Sequence, residues 1–185
     1  MPHPNQKLIM NTLWRRTMPD IMKVWTILDG ARDERIHKAV EKCYEDKCCL
    51  FAGKLPEPLV ATAPYLVQLD NDAQFTRYLI DNGWGQSWGI FFWSGSSMET
   101  LRRHFRGFLR VQDEKGTKML FRYYDPRVLR LYLPTCAPEE LQTIFGPVNR
   151  FLMESEDGAA TLEFRLEGGK LAPASLTLEP AGAAR

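Results

Sequence analysis

The run Gly89-Ile90-Phe91-Phe92-Trp93-Ser94 constrains the fold more than any other stretch of this chain, because it has the length of a strand and no polar face. With its flanks, residues 83–95, it reads as a glycine-flanked aromatic strand buried on both sides, which places it at the centre of a sheet. Upstream, Val24-Trp25-Thr26-Ile27-Leu28 is a second strand, stopped by Asp29-Gly30, a pair that favours turns. Ile36, Ala39, Val40, Cys43 and Tyr44 then recur at three- and four-residue spacing and predict an amphipathic helix with that stripe inward. A short strand at 48–51, a proline-bearing loop at 53–58 and a strand at 64–69 follow, the last with its proline at the tolerated first position. Phe75, Tyr78 and Leu79 mark a short helix before the central strand.

Beyond the central strand, Ser97 is placed as an N-cap for a helix whose inner face is Met98, Leu101, Phe105, Phe108 and Leu109. Its outer face carries Arg102, Arg103, Arg106 and Arg110. Val111, the turn Asp113-Glu114-Lys115-Gly116 and a strand over 119–124 predict a hairpin. Asp125-Pro126 then ends that strand and starts a helix, since proline is pre-organised for the first helical position and aspartate suits the cap. Val128, Leu129, Tyr132 and Leu133 make this helix amphipathic up to Pro134, and Pro138-Glu139-Glu140 opens another with Leu141, Ile144 and Phe145 inward. Three β stretches, 148–153, 160–166 and 171–178, separated by glycine-bearing turns, close the chain as a meander. The expected fold is mixed α/β: one domain with a mixed central sheet flanked by short helices and a C-terminal β meander. Its expected divisions are an N-terminal extension (1–23), a core (24–154), β strands packed on that core (155–179) and a loose tail (180–185).

A chain of 185 residues, 44% hydrophobic and 25% charged, suits one domain that needs neither disulfide nor metal to fold. The net charge of +1 argues against nucleic acid as a partner, and no apolar run approaches the roughly 20 residues of a membrane span. Residues 1–20 lack the order of a secretory signal, so the expected location is the cytoplasm. There the four cysteines are expected to be reduced and buried as small hydrophobes.

Candidate chemistry is sparse. Residues 83–95 suit either an anion cradle or a packed strand with tight turns; neither a dinucleotide fingerprint nor a phosphate loop is present, and the packed strand is preferred. Trp84 and Trp88 are candidate partner anchors, with core burial as the commoner use. Cys43, Cys48, Cys49, His37 and His104 lack the spacing of a zinc site, so no metal and no cofactor is expected. His104 with Asp125 and a serine makes a triad only on paper, without a nucleophile elbow. The sharper signal lies in residues 102–130, where nine basic residues stand against three acidic ones. Arginines interleaved with Phe105, Phe108, Phe121, Tyr123 and Tyr124 are as typical of protein-binding surfaces as of phosphate readers. Arg102, Arg103, Arg106 and Arg110 are therefore partner-binding candidates. Arg122, Asp125, Pro126 and Arg127 form a structural motif, in which an Arg–Asp pair would hold the corner between strand and helix.

Six stretches taken in order carry a family resemblance: Leu28-Asp29-Gly30-Ala31-Arg32-Asp33, the strand at 63–69, Trp84-Gly85-Gln86-Ser87-Trp88-Gly89-Ile90, Leu101-Arg102-Arg103-His104-Phe105-Arg106, the FRYYDPRVL run at 121–129 and Phe145-Gly146-Pro147-Val148. Together they resemble the DUF4123 family, adaptor chaperones of bacterial type VI secretion effectors. Phe105 stands where a leucine is common in that family's pattern. The resemblance implies a cytoplasmic protein, not an enzyme, that binds one toxic effector, often at the effector's N-terminal region, and helps load it onto the secretion spike. The spike protein is the second partner it points to. The rival reading is an enzyme for a small anionic substrate near Arg102, Arg122 and Arg127, with His104 as acid or base. A concave site where those arginines converge on His104 would favour it over a flat basic face.

Overall fold

Strand β1 (Lys23–Asp29) alternates Val24 and Leu28 toward one side with Trp25 and Ile27 toward the other, and both sets are buried. A strand with two apolar faces needs cover on both, and the rest of the chain supplies it. The computed structural model describes residues 2–112 and 115–178. The expected tail at 180–185, and Asp113 and Glu114 of the expected hairpin turn, lie outside the described residues.

Helix α1 (Gln6–Leu13) precedes β1, and the chain continues through α2 (Glu34–Lys42), β2 (Lys47–Cys49), α3 (Glu57–Ala61), β3 (Pro64–Leu69), α4 (Gln74–Gly83) and β4 (Gly89–Ser94). β1 lies between β3 and β4 and is antiparallel to both, while β2 pairs with the outer side of β3. Helices α2 and α4 therefore each join two strands that have a third between them, the split βαβ arrangement of ferredoxin-like domains. Next come α5 (Met98–Arg106), a ribbon of β5 (Arg110–Gln112) and β6 (Lys118–Leu120), α6 (Pro126–Tyr132), a 3₁₀ turn (Leu133–Thr135) and α7 (Pro138–Phe145). Strands β7 (Arg150–Glu154), β8 (Ala160–Glu167) and β9 (Lys170–Thr177) then extend the sheet beyond β4.

The expected mixed α/β domain is what forms. The aromatic strand β4 is buried along its whole length and is the middle of seven strands, in the order β2-β3-β1-β4-β7-β8-β9. Every pairing among the described strands is antiparallel, so the sheet is not the mixed one expected: α2 and α4 each return the chain on the far side of a strand that runs the opposite way. Helices α1, α2 and α4 cover the face that carries Val24, Leu28, Val67, Phe91 and Trp93. Helices α5, α6 and α7 cover the face of Trp25, Ile27, Leu66, Phe92 and Phe151. The indole N–H of Trp93 donates to the Leu13 carbonyl at 2.9 Å, tying α1 to the central strand.

Three local expectations change. Tyr44 leaves the inward stripe: α2 stops at Lys42, Cys43 turns to extended backbone, and Tyr44 is fully exposed while Cys43 stays buried. The strand expected over 119–124 is only β6, because after Phe121 donates to the Leu109 carbonyl the chain turns to bury Tyr123 and Tyr124. The loop expected at 53–58 runs at Glu57 into α3.

Candidate functional site

The motifs at 28–33, 84–90 and 121–129 meet at one end of the central strands. Asp29, last in β1 and fully buried, accepts from the Ala31 amide and pairs with Arg122. Its own amide donates to the Trp88 carbonyl at 2.8 Å, and Arg32 Nε donates to the Gln86 carbonyl at 2.9 Å. These bonds hold the 84–88 turn from one side. From the other side, the carboxylate of Glu154 at the end of β7 accepts from the amides of Gly85 and Ser87 at 2.6 and 2.8 Å. Gly85 and Ser87 both have positive φ, so their N–H groups converge as an anion nest. Residues 89–94 are the preferred packed strand, and the turn before it cradles an anion that belongs to the protein itself. Burial raises the Glu154 pKa above the ordinary glutamate value, and the two amides and the Ser87 hydroxyl oppose that rise.

The corner motif divides between two carboxylates. Arg122 pairs with Asp29, because the chain has already left the strand at Phe121 and Arg122 reaches back to the end of β1. Asp125 instead caps α6, accepting from the Arg127 amide at 2.9 Å and pairing with the Arg127 guanidinium at 2.6 Å. Burial works against the Asp125 charge, but the Arg127 bonds outweigh it and its pKa falls below the ordinary aspartate value. Pro126 is buried at the first helical position. Sequence reasoning missed Asp29 and Glu154. Asp29 was legible only as a turn residue, and a lone Glu154 at a strand end gives no signal until the 84–88 turn is beside it.

Helix α5 is capped as predicted, Ser97 Oγ accepting from the Thr100 amide, and buries Leu101 and Phe105. The arginines on its other side divide. Arg102, Arg103 and, at the start of β5, Arg110 are exposed. Arg106 is a clamp: its guanidinium donates to the carbonyls of Leu50 at 2.9 Å and Phe51 at 2.6 Å, just beyond edge strand β2. It is not a free rim charge. Trp84 and Trp88, the other partner-binding candidates, are buried, Trp84 donating its indole N–H to the Gly158 carbonyl at 3.0 Å. Both anchor the turn from inside the core and present no surface to a partner.

His104 Nε2 bonds the Ile144 carbonyl at 2.9 Å, and its ring meets those of Phe105 and Phe108 edge-on at 4.9 Å. Burial lowers its pKa below the ordinary histidine value. Arg122 and Arg127 are turned into their carboxylate pairs and do not converge on it. Cys48 touches the Met98 sulfur at 3.4 Å, and burial pushes its thiol up to about 11, so it stays protonated at neutral pH.

Exposed apolar surface lies beside these basic groups. The rings of Phe121 and Tyr132 meet at 4.8 Å and join the end of the β5–β6 ribbon to α6. On that ribbon and helix Met119 is 47% exposed, Leu120 49% and Leu131 72%. Arg110 stands directly across the ribbon from Leu120, and Arg127 is exposed in the first turn of α6. Arg110 and Leu120 share one face of the ribbon and Met119 lies on the other, so these exposed apolar side chains stand among the basic groups of the most positively charged region of the sequence.

A family described as "Domain of unknown function (DUF4123)" matches residues 24–143. No curated protein and no solved structure matches the chain. Among the described residues no helix is long and apolar enough to cross a membrane.

Proposed function

The chain belongs to the DUF4123 family, and from that premise we propose that it is an adaptor chaperone that binds one type VI secretion effector, keeps it soluble and assists its loading onto the secretion spike. The observation that carries the reading is the exposure of Met119, Leu120 and Leu131 within this basic region, with Arg110 beside Leu120 on one face of the ribbon. Large apolar side chains left in water on a small domain mark an interaction surface, and arginines among them suit protein recognition. The effector segment would supply apolar anchors for the former and carboxylates for the latter. Arg102 and Arg103, exposed on α5, add positive charge that would steer association.

The test is affinity purification from the native bacterium at physiological salt, with the wild type beside Leu131→Asp. The expected result is one large protein, encoded beside this gene, that co-purifies with the wild type, is reduced at least tenfold with Leu131→Asp, and becomes insoluble or scarce when the gene is deleted. Leu131 is exposed on α6, so its replacement should shift stability by no more than about 0.5 kcal/mol. A wild type that returns alone, with the neighbouring protein unaffected by the deletion, would overturn the adaptor reading. Unchanged capture by Leu131→Asp would move the interface elsewhere on the protein.

A further inference from the structure

On the opposite side of the sheet the helical layer is incomplete. Helix α1 is held to α4 by the Gln6 side-chain bond to Asp81 at 2.7 Å, but between α4 and α2 lies an open groove of about 590 Å³. Its floor and α4 wall are apolar or uncharged, from Ala39, Cys43, Phe75 and Tyr78. The α2 wall is a row of cations, Arg35, Lys38 and Lys42, at the spacing that puts side chains on one face of a helix. Glu45 is the one carboxylate among the described residues lining the groove. The Arg35 guanidinium lies 5.0 Å from the Trp88 ring, which in turn meets Tyr78 at 6.2 Å, so the two walls are joined through Trp88. Arg35 is paired with Asp33 at 2.6 Å and Lys38 with Glu34 at 3.0 Å, neither carboxylate lining the groove, whereas Lys42 forms no ion pair among the described residues.

We propose that this groove is a second docking site, and that its occupant is an acidic amphipathic helix of a partner protein, which completes the helical layer between α2 and α4. The length from Arg35 to Lys42 is about two helical turns at 1.5 Å per residue. A helix laid there would set apolar residues at i, i+3 or i+4, and i+7 over Ala39, Cys43 and Phe75, the usual pattern of a helix held in a groove. Its flank toward α2 meets three cations and needs carboxylates at the same spacing. Cations outnumber the carboxylate three to one among the described residues lining the groove, so an acidic helix is favoured there over a basic one. The surface is separate from the ribbon and α6 on the other face, and the inference does not depend on the secretion role.

The probe is a fluorescein-labelled 18-residue synthetic peptide with leucine at i, i+3, i+4 and i+7 and glutamate on one flank. Its control carries lysine in place of every glutamate. Anisotropy at physiological salt should show binding of the acidic peptide to the wild type and none of the basic one. Lys38→Glu with Lys42→Glu should weaken the acidic peptide at least tenfold, as should Ala39→Trp, which fills the slot, whereas Leu131→Asp should leave it unchanged. Circular dichroism confirms that each variant is folded. Absence of acidic-peptide binding, equal binding of both peptides, or full affinity in the double charge reversal overturns the proposal. Binding of laurate to the groove without binding of the peptide also overturns it, assigning the groove to a small amphipathic anion instead. Because the peptide is synthetic, a failed co-purification does not decide this experiment, nor this experiment the adaptor reading.

Discussion

Asp29 ends an apolar strand with a carboxylate that water does not reach, and its partners are the Arg122 guanidinium and the Ala31 amide. Removing one partner of a buried pair strands the other, at about 3–5 kcal/mol when both are fully buried. The Arg122 side chain is 39% exposed, and solvent screening lowers that figure. Arg122→Ala should therefore cost about 2 kcal/mol in urea unfolding, and Arg122→Lys should recover only part, because an ammonium lacks the planar fork. A loss below about 0.5 kcal/mol would show that the pair does not hold the corner. Glu154 and His104 bring opposite pH dependences. Burial raises Glu154 in the folded state above its ordinary value of 4.5, so its unfavourable charge is relieved as pH falls through the folded value. His104 is lowered from 6.5, so the unfolded chain takes up its proton first, and the His104 contribution, full above 6.5, is lost as pH falls below it. Between pH 7 and pH 5, Glu154→Gln should therefore lose more stability than the wild type, and His104→Gln less. Parallel profiles for the three proteins would refute both assignments.

At the scale of elements, the packing of β1 against β4 depends on a missing side chain. A Cβ on Gly89, whose partner across the strands is Leu28, would stand 2.2 Å from the Ile27 carbonyl oxygen, which is backbone and cannot turn aside. Gly89→Ala should thus cost at least about 3 kcal/mol, the upper end for overpacking, since the two central strands must part. A urea midpoint equal to that of the wild type would disprove the close approach. Much at this scale was readable beforehand, because alternation and capping are local. The two-faced burial of 24–28 and 89–94, the Ser97 cap and the Asp125-Pro126 helix start all follow from neighbouring residues. What was not readable depends on distant chain. Arg122 finds Asp29, 93 positions away, and Glu154 finds Ser87, 67 away, and no spacing rule predicts such meetings. The arginines of α5 looked alike in sequence, yet Arg106 alone lies over the Leu50 and Phe51 carbonyls and becomes a clamp.

For the whole molecule, a seven-stranded open sheet leaves two edges, and they are unequal. β2 offers three residues, whereas β9 offers eight, mostly exposed, as a template for another chain. Gly168 and Gly169 both have positive φ, which makes the β8–β9 turn a two-residue type I′ hairpin and sets the phase of its ladder. Glu167 and Lys170 then form a hydrogen-bonded pair, and Pro173, opposite Phe164, falls at a position whose nitrogen faces away from β8. The proline costs the β8–β9 ladder nothing and removes a donor from the free edge between Leu171 and Ser175. This arrangement interrupts the row of outward donors with which a second copy would pair. Pro173→Val restores an unbroken row of outward donors at 171, 173, 175 and 177 without adding a bond toward β8. Light scattering on a size-exclusion column should show the variant forming larger species than the wild type as concentration rises, with an unchanged urea midpoint at low concentration. Identical masses for the two proteins across that range would mean that the edge is guarded by something other than Pro173.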